Sequence, residues 1–165
     1  MNAAADRFAS QGIGSIFLYT HEAHPGETYP HLTSMAQKFK HAQALRDVYS
    51  VTRPIYVDSL DGACHRGYGS MPNMTWIFDK RGTVMYKSDW TETLSVVDAL
   101  DYYLGLSARR KAGARLSPFR VQRLEYRESD RYGFYDGLAK SGPKAVTEFN
   151  ETFPGSKPDD WKPKE

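Results

Sequence analysis

Three ionisable residues crowd into one short stretch, His21-Glu22-Ala23-His24. Imidazoles and carboxylates are the side chains best suited to trading protons near neutral pH. The stretch is not the His-Glu-x-x-His zinc motif, which sets two histidines one helical turn apart. Here the spacing is one residue short, and extended backbone sends His21 and His24 to opposite faces. A metal site would need His31 from the following loop as well. Surface histidines around a turn are the plainer reading. Glu22 and His24 are two apart and share a face of an extended segment. A carboxylate beside an imidazole fixes its tautomer and raises its basicity, so this pair suits proton transfer. A hydrogen bond that merely shapes the turn is the alternative.

Other groups bear on the same chemistry. Cys64 is the one cysteine, which excludes an internal disulfide and any Cys-x-x-Cys motif. His65 beside it could lower its pKa, although adjacent helical positions do not face each other. Core packing competes with a redox role for this thiol. Met71 and Pro72 precede an apolar run, and a cis peptide there would expose backbone groups to a substrate. Arg109, Arg110, Lys111, Arg115, Arg120, Arg123 and Arg127 make one segment basic. It lacks a recognition motif, so a solvated face is expected and no nucleic acid.

The elements that must position these groups alternate in type. Ser15 to Thr20 contains four consecutive apolar or aromatic residues, Ile16 to Tyr19, which suits a strand buried on both faces. Its ionisable end falls where open α/β sheets place their sites. Before it, Asn2 to Gln11 reads as a helix closed by Gly12. After it, a helix is expected from Ser34 to Tyr49, with Met35, Phe39, Ala42, Leu45 and Tyr49 on the inner face and a capping box from Ser34 to Gln37. Ile55 to Val57 is a second strand, closed by Asp58. A helical turn carries Cys64, His65 and Tyr68. Thr75 to Phe78 and Thr83 to Lys87 flank Asp79-Lys80-Arg81-Gly82 as a hairpin. A helix then runs from about Asp89 to Leu104 with Leu94, Val97, Leu100 and Leu104 inward, ended by Gly105. Pro143 starts a last helix through Phe149. The order argues for an α/β fold. The expected division is a domain over 1–106, a basic and aromatic, mainly helical extension over 107–153, and a loose polar tail over 154–165.

Composition narrows the class. The chain has 165 residues, 40% hydrophobic and 25% charged, with a formal net charge of +2. That is enough for one core and is ordinary for a globular protein. No apolar run approaches the length of a membrane helix, and the start lacks an export signal pattern. A cytoplasmic protein without membrane contact is expected.

Tyr19-x-x-Glu22-Ala23-His24-Pro25 resembles the corresponding strand end of the iodothyronine deiodinase-like branch of the thioredoxin-fold (redoxin) superfamily. Val57-Asp58-x-x-Asp61 with Tyr68-Gly69 resembles that family's next strand and helix. Pro72, the hairpin TWIFDKRGTVMYK and Asp89-Trp90 resemble the cis-proline, final hairpin and final helix of redoxins. The resemblance spans about residues 1–105.

It implies a thioredoxin-like fold and a thiol or selenol oxidoreductase, without a bound cofactor, regenerated by a reducing thiol or a thioredoxin system. The substrate would be a small molecule such as a halogenated aromatic. Glu22 and His24 would handle protons, and Met71 and Pro72 would border the substrate. The family's nucleophile lies in a turn after the first core strand, and this sequence starts beyond both. Cys64 matches no family nucleophile. Met1 is therefore expected to be an internal methionine, the frame upstream being interrupted by a UGA that encodes selenocysteine. A non-catalytic thioredoxin-fold binding module and a Cys64-dependent thiol enzyme are the alternatives. The aromatic residues of 107–153 would pack over the domain or make a homodimer contact.

Overall fold

A computed structural model describes residues 1–164. The protein is mixed α/β, with ten elements: α1 (Asn2–Ala9), β1 (Phe17–Tyr19), α2 (Met35–Tyr49), β2 (Ile55–Val57), α3 (Ala63–Tyr68), β3 (Thr75–Phe78), β4 (Val84–Ser88), α4 (Thr93–Lys111), α5 (Arg131–Lys140) and α6 (Pro143–Thr152). The strands form two two-stranded sheets, β1 with β2 and β3 with β4. No helix among the described residues is long and apolar enough to cross a membrane. The chain divides into two compact units. One comprises Met1–Ile16, Thr52–Pro54 and Gly69–Arg127; the other comprises Phe17–Val51, Ile55–Tyr68 and Glu128 onward. Neither follows the boundaries expected from sequence.

The first unit is built on the hairpin. β3 and β4 pair antiparallel from Thr75↔Ser88 to Phe78↔Val84, with a bulge between Ile77 and Phe78. The Asp79 carboxylate accepts from the N–H groups of Arg81 and Thr83, both at 2.9 Å, and closes the turn. Gly82, at φ +80°, supplies the left-handed residue the turn requires. Phe8 of α1 and Val96 and Leu100 of α4 are buried together, with Ile77, Tyr86 and Leu104 packed against them.

Glu92 caps α4 by accepting from the Ser95 N–H at 2.7 Å. The helix continues through Gly105 to Lys111. A mid-helix glycine costs about 1 kcal/mol, and the run Leu106 to Lys111 of mostly good helix formers offsets it. Three cations in the last turn also favour the helix C-terminus. Leu94, expected inside, is 72% exposed because it lies in the first turn, off the stripe carrying Val96 and Leu100. Residues 114–130 contain no helix, strand or turn.

The second unit starts from a β1-α2-β2 crossover. Its strands pair parallel in the register Phe17↔Ile55, Leu18↔Tyr56, Tyr19↔Val57. Ser34 caps α2 by accepting from the Gln37 N–H at 3.2 Å. The inner face of α2 differs from expectation: Lys38, His41 and Ala42 are buried, whereas Phe39 is 57% exposed and Tyr49 also faces outward. Lys38 is tolerated inside because its Nζ donates to the Ser59 carbonyl at 2.8 Å. Asp58 ends β2 and caps α3, accepting from the N–H groups of Ser59, Cys64 and His65 at 2.8–3.0 Å.

The same unit holds α5, α6 and the chain's end. Tyr135, Leu138, Ala145 and Trp161 form its core, with Phe134 and Phe149 against them. The tail expected to be loose is docked. Trp161 is buried, its Nε1–H donates to Asp136 at 3.0 Å, and Tyr132 donates to Asp160 at 2.6 Å. A polar, proline-containing stretch read as loose because a single tryptophan does not register in its composition.

Candidate functional site

The site lies in the second unit, where β1 gives way to the loop before α2. Tyr19, the last residue of β1, is buried, and its hydroxyl donates to Glu22 Oε1. His41, one face of α2 away, brings Nδ1 to 3.1 Å from the same oxygen. The Tyr29 ring stands edge-on to the His41 imidazole, centroids 5.4 Å apart. Tyr19, Glu22, His41 and Tyr29 thus form one connected group on three adjoining pieces of chain.

Burial pushes the Glu22 carboxyl above the usual carboxylate range, and the hydrogen bond and charge of His41 pull it back only in part. A carboxyl raised in this way and bonded to an imidazole holds its proton to a higher pH than an exposed one.

Sequence reasoning paired Glu22 with His24, and the structure gives Glu22 a different imidazole. His24 sits instead between two rings of the α5–α6 pair, 5.7 Å from Phe134 and 5.3 Å from Phe149, both edge-on. Desolvation there lowers its pKa and favours the neutral ring. The turn expected from Pro25 and Gly26 leads straight into this contact. Thr28 N–H donates to the Ser141 carbonyl at 2.9 Å, and the Glu27 carboxylate accepts from the Lys144 N–H at the start of α6. A Cβ on Gly26 would collide with the Ser141 carbonyl, so only glycine lets the two backbones meet.

Two cavities adjoin Glu22. One, of about 150 Å³, is lined by Tyr19, Tyr29, His41, Leu45, Val48 and Lys140 among others. The other, of about 290 Å³, is lined by Glu22, His24, Tyr49 and Phe134 among others. Lys140 Nζ lies 4.4 Å over the Tyr49 ring, which also lines both cavities.

The remaining expected site residues lie elsewhere. Cys64 is exposed on α3 and lines neither cavity. Its N–H is spent on Asp58. Burial opposes the Asp58 charge, but the N–H groups of His65, Cys64 and Ser59, with Lys38 nearby, together hold its carboxyl below the usual range. The His21 ring lies tilted against that of His65, centroids 5.0 Å apart; desolvation, then His65 and Lys38, lowers its pKa. Among the described residues no three metal-ligating side chains converge. Met71 and Pro72 belong to the first unit and are exposed. The peptide before Pro72 is trans, against the cis form that the resemblance implies. Gly69 and Ser70, at φ +116° and +63°, make the turn instead.

Sequence reasoning missed Tyr19, His41 and Tyr29. His41 had a signal: Lys38, His41 and Leu45 recur at intervals of three and four, a helical face that carries two ionisable groups and was passed over for the more apolar one.

No protein-family model matches the chain, and no curated protein or solved structure does either.

Proposed function

We infer that the end of β1 is the proton-handling part of a small-molecule site, in a deiodinase-like thiol or selenol oxidoreductase of thioredoxin-like fold. One observation carries the reading: the Glu22 carboxyl, raised by burial, joins the Tyr19 hydroxyl and His41 Nδ1 beside two cavities. Reductive dehalogenation of a carbon centre and reduction of a peroxide share one need. Each consumes two thiols, forms a disulfide, and must deliver a proton to the carbon or oxygen that loses its partner. Glu22, restored through His41, is placed to supply it. His24, kept neutral among aromatic rings, shapes the wall of the larger cavity. The thioredoxin-like part of the reading rests on the presence of a β1-α2-β2 crossover and a hairpin, whose strands form two separate sheets here.

The reaction also needs a nucleophile, and Cys64 is the one thiol of the sequence. Thiol-dependent turnover of an organic hydroperoxide and of a halogenated phenol is the test, on the protein and on its Cys64→Ser variant. Activity that falls by two orders of magnitude or more in Glu22→Gln supports the reading. Undiminished activity in that variant removes it.

A non-catalytic binding module is the second reading. It is favoured by the absence of any sulfur-bearing side chain from the residues lining either cavity. Ligand binding without turnover in every form would establish it.

A further inference from the structure

The stretch from the end of α4 to Arg127 has a property that sequence could not disclose. Between positions 109 and 127 lie seven cationic side chains and one carboxylate, Glu125, in a chain whose whole net charge is only +2. Interleaved with them are Phe119, Val121, Leu124 and Tyr126, which are 82%, 71%, 79% and 90% exposed. Four large apolar side chains this open within eight residues are unusual on a folded surface. The arm leaves the end of α4 and is held again near Arg127. Glu125 accepts from Ser95 Oγ at 2.8 Å and pairs with Arg123, and Arg127 lies 4.6 Å over the Trp90 ring. Among the described residues Arg109, Arg110, Lys111, Arg115 and Arg120 have no ion-pair partner.

We propose that this arm binds single-stranded nucleic acid, with Arg115, Arg120 and the last turn of α4 on phosphates and Phe119 and Tyr126 stacking on bases. Charge selects a polyanion. The arrangement of the apolar residues selects among polyanions. If the arm coiled into a helix, Val121 and Leu124 would lie opposite Phe119 and Tyr126. If it extended as a strand, Phe119 and Val121 would lie opposite Leu124 and Tyr126. Neither form has the single apolar face needed to lie on a bilayer. Aromatic rings projecting from both sides of an extended, basic chain fit unpaired bases, which offer a stacking face in any sequence. Positions 119 and 126 are separated by roughly 23 Å when extended, enough to reach over several nucleotides.

Fluorescence anisotropy of end-labelled oligo(dT) and oligo(U) tests this with the full chain. With about five phosphates neutralised, log K should fall against log salt with a slope of about −3.5, a roughly hundredfold loss between 50 and 200 mM salt. Phe119→Ala with Tyr126→Ala should weaken binding roughly tenfold or more without changing the slope. Arg115→Gln with Arg120→Gln should make the slope shallower by about 1.4. All four positions are exposed, and circular dichroism confirms that the variants fold. No binding at 50 mM salt overturns the proposal. So does unchanged affinity in the aromatic double variant, which would mean cation exchange alone. Displacement of the oligonucleotide by an equal charge of polyglutamate overturns it, as does preference for phosphatidylserine vesicles over oligonucleotide.

Discussion

Replacing His41 by leucine should isolate the contact on which the site depends. The substitution keeps a buried apolar body on α2 but removes Nδ1, and in a Tyr19→Phe background it leaves Glu22 Oε1 with neither of its two partners. An abandoned buried polar group costs about 1–3 kcal/mol. The Glu22 side chain is 19% exposed, so water recovers part of that loss. A coupling of about 1 kcal/mol between positions 22 and 41 is therefore expected. The measurement is a double-mutant cycle of Glu22→Leu and His41→Leu by urea denaturation. It is run in a Tyr19→Phe background, so that removing Glu22 strands no hydroxyl. Replacing both partners should cost less than the two single changes together. At about 2–4 °C per kcal/mol for a chain of this size, thermal melts should show the coupling as well. A coupling indistinguishable from zero would refute the claim that this carboxyl and this imidazole are bonded.

Other consequences follow from the same contacts. Because burial raises the Glu22 pKa, its ionisation opposes folding. The difference in stability between the protein and Glu22→Gln should therefore shift against the wild type as pH rises through that elevated value, and be free of this penalty below the ordinary carboxylate value; parallel pH profiles would contradict it. Asp58 is the opposite case. Its depressed pKa gives stability that is present above the ordinary carboxylate value and lost as pH falls through the depressed one, so the advantage over Asp58→Asn should fade in acid. Trp161→Ala should destabilise the second unit by about 3–5 kcal/mol in denaturant, since it empties a buried site and removes the indole donor from Asp136, which keeps Lys164; a loss below 1 kcal/mol would mean the tail is not docked. Gly26→Ala should cost about 1–3 kcal/mol or more by forcing the Ser141 carbonyl away, which thermal melts would detect.

Local rules were legible in the sequence. Ile55 to Val57 is a strand because three β-formers stand between Pro54 and Asp58, and α2 starts at Met35 because Ser34 and Gln37 cap it. The hairpin follows from its Asp-Lys-Arg-Gly turn, and Pro143 opens α6 as its fixed φ suggests. What was not legible is which face of a helix turns inward. Lys38 is buried and Phe39 exposed because a carbonyl at Ser59 waits for the amine, and that carbonyl is 21 residues away. His41 belongs to the site for the same reason: its partner lies across a crossover. Trp161 reaches a core made by α5 and α6, and nothing near it in sequence announces that. Glu22 and His24 were found because the polar end of an apolar run is a recognisable place. The strand itself is not buried on both faces, however: Tyr19 is buried, whereas Ile16 just before the strand is 62% exposed. The partners of Glu22 and His24 were not found, because those depend on tertiary packing.

The central claim is that the Glu22 carboxyl, raised by burial, is bonded to His41 Nδ1. Nuclear magnetic resonance of a sample labelled at the glutamate side-chain carboxyls and the histidine ring nitrogens measures it directly. The account predicts that Glu22 titrates above the ordinary carboxylate range, and that the His41 Nδ1 signal moves with it and changes in Glu22→Gln. A Glu22 carboxyl titrating at its ordinary value, with His41 indifferent to its state, would contradict it.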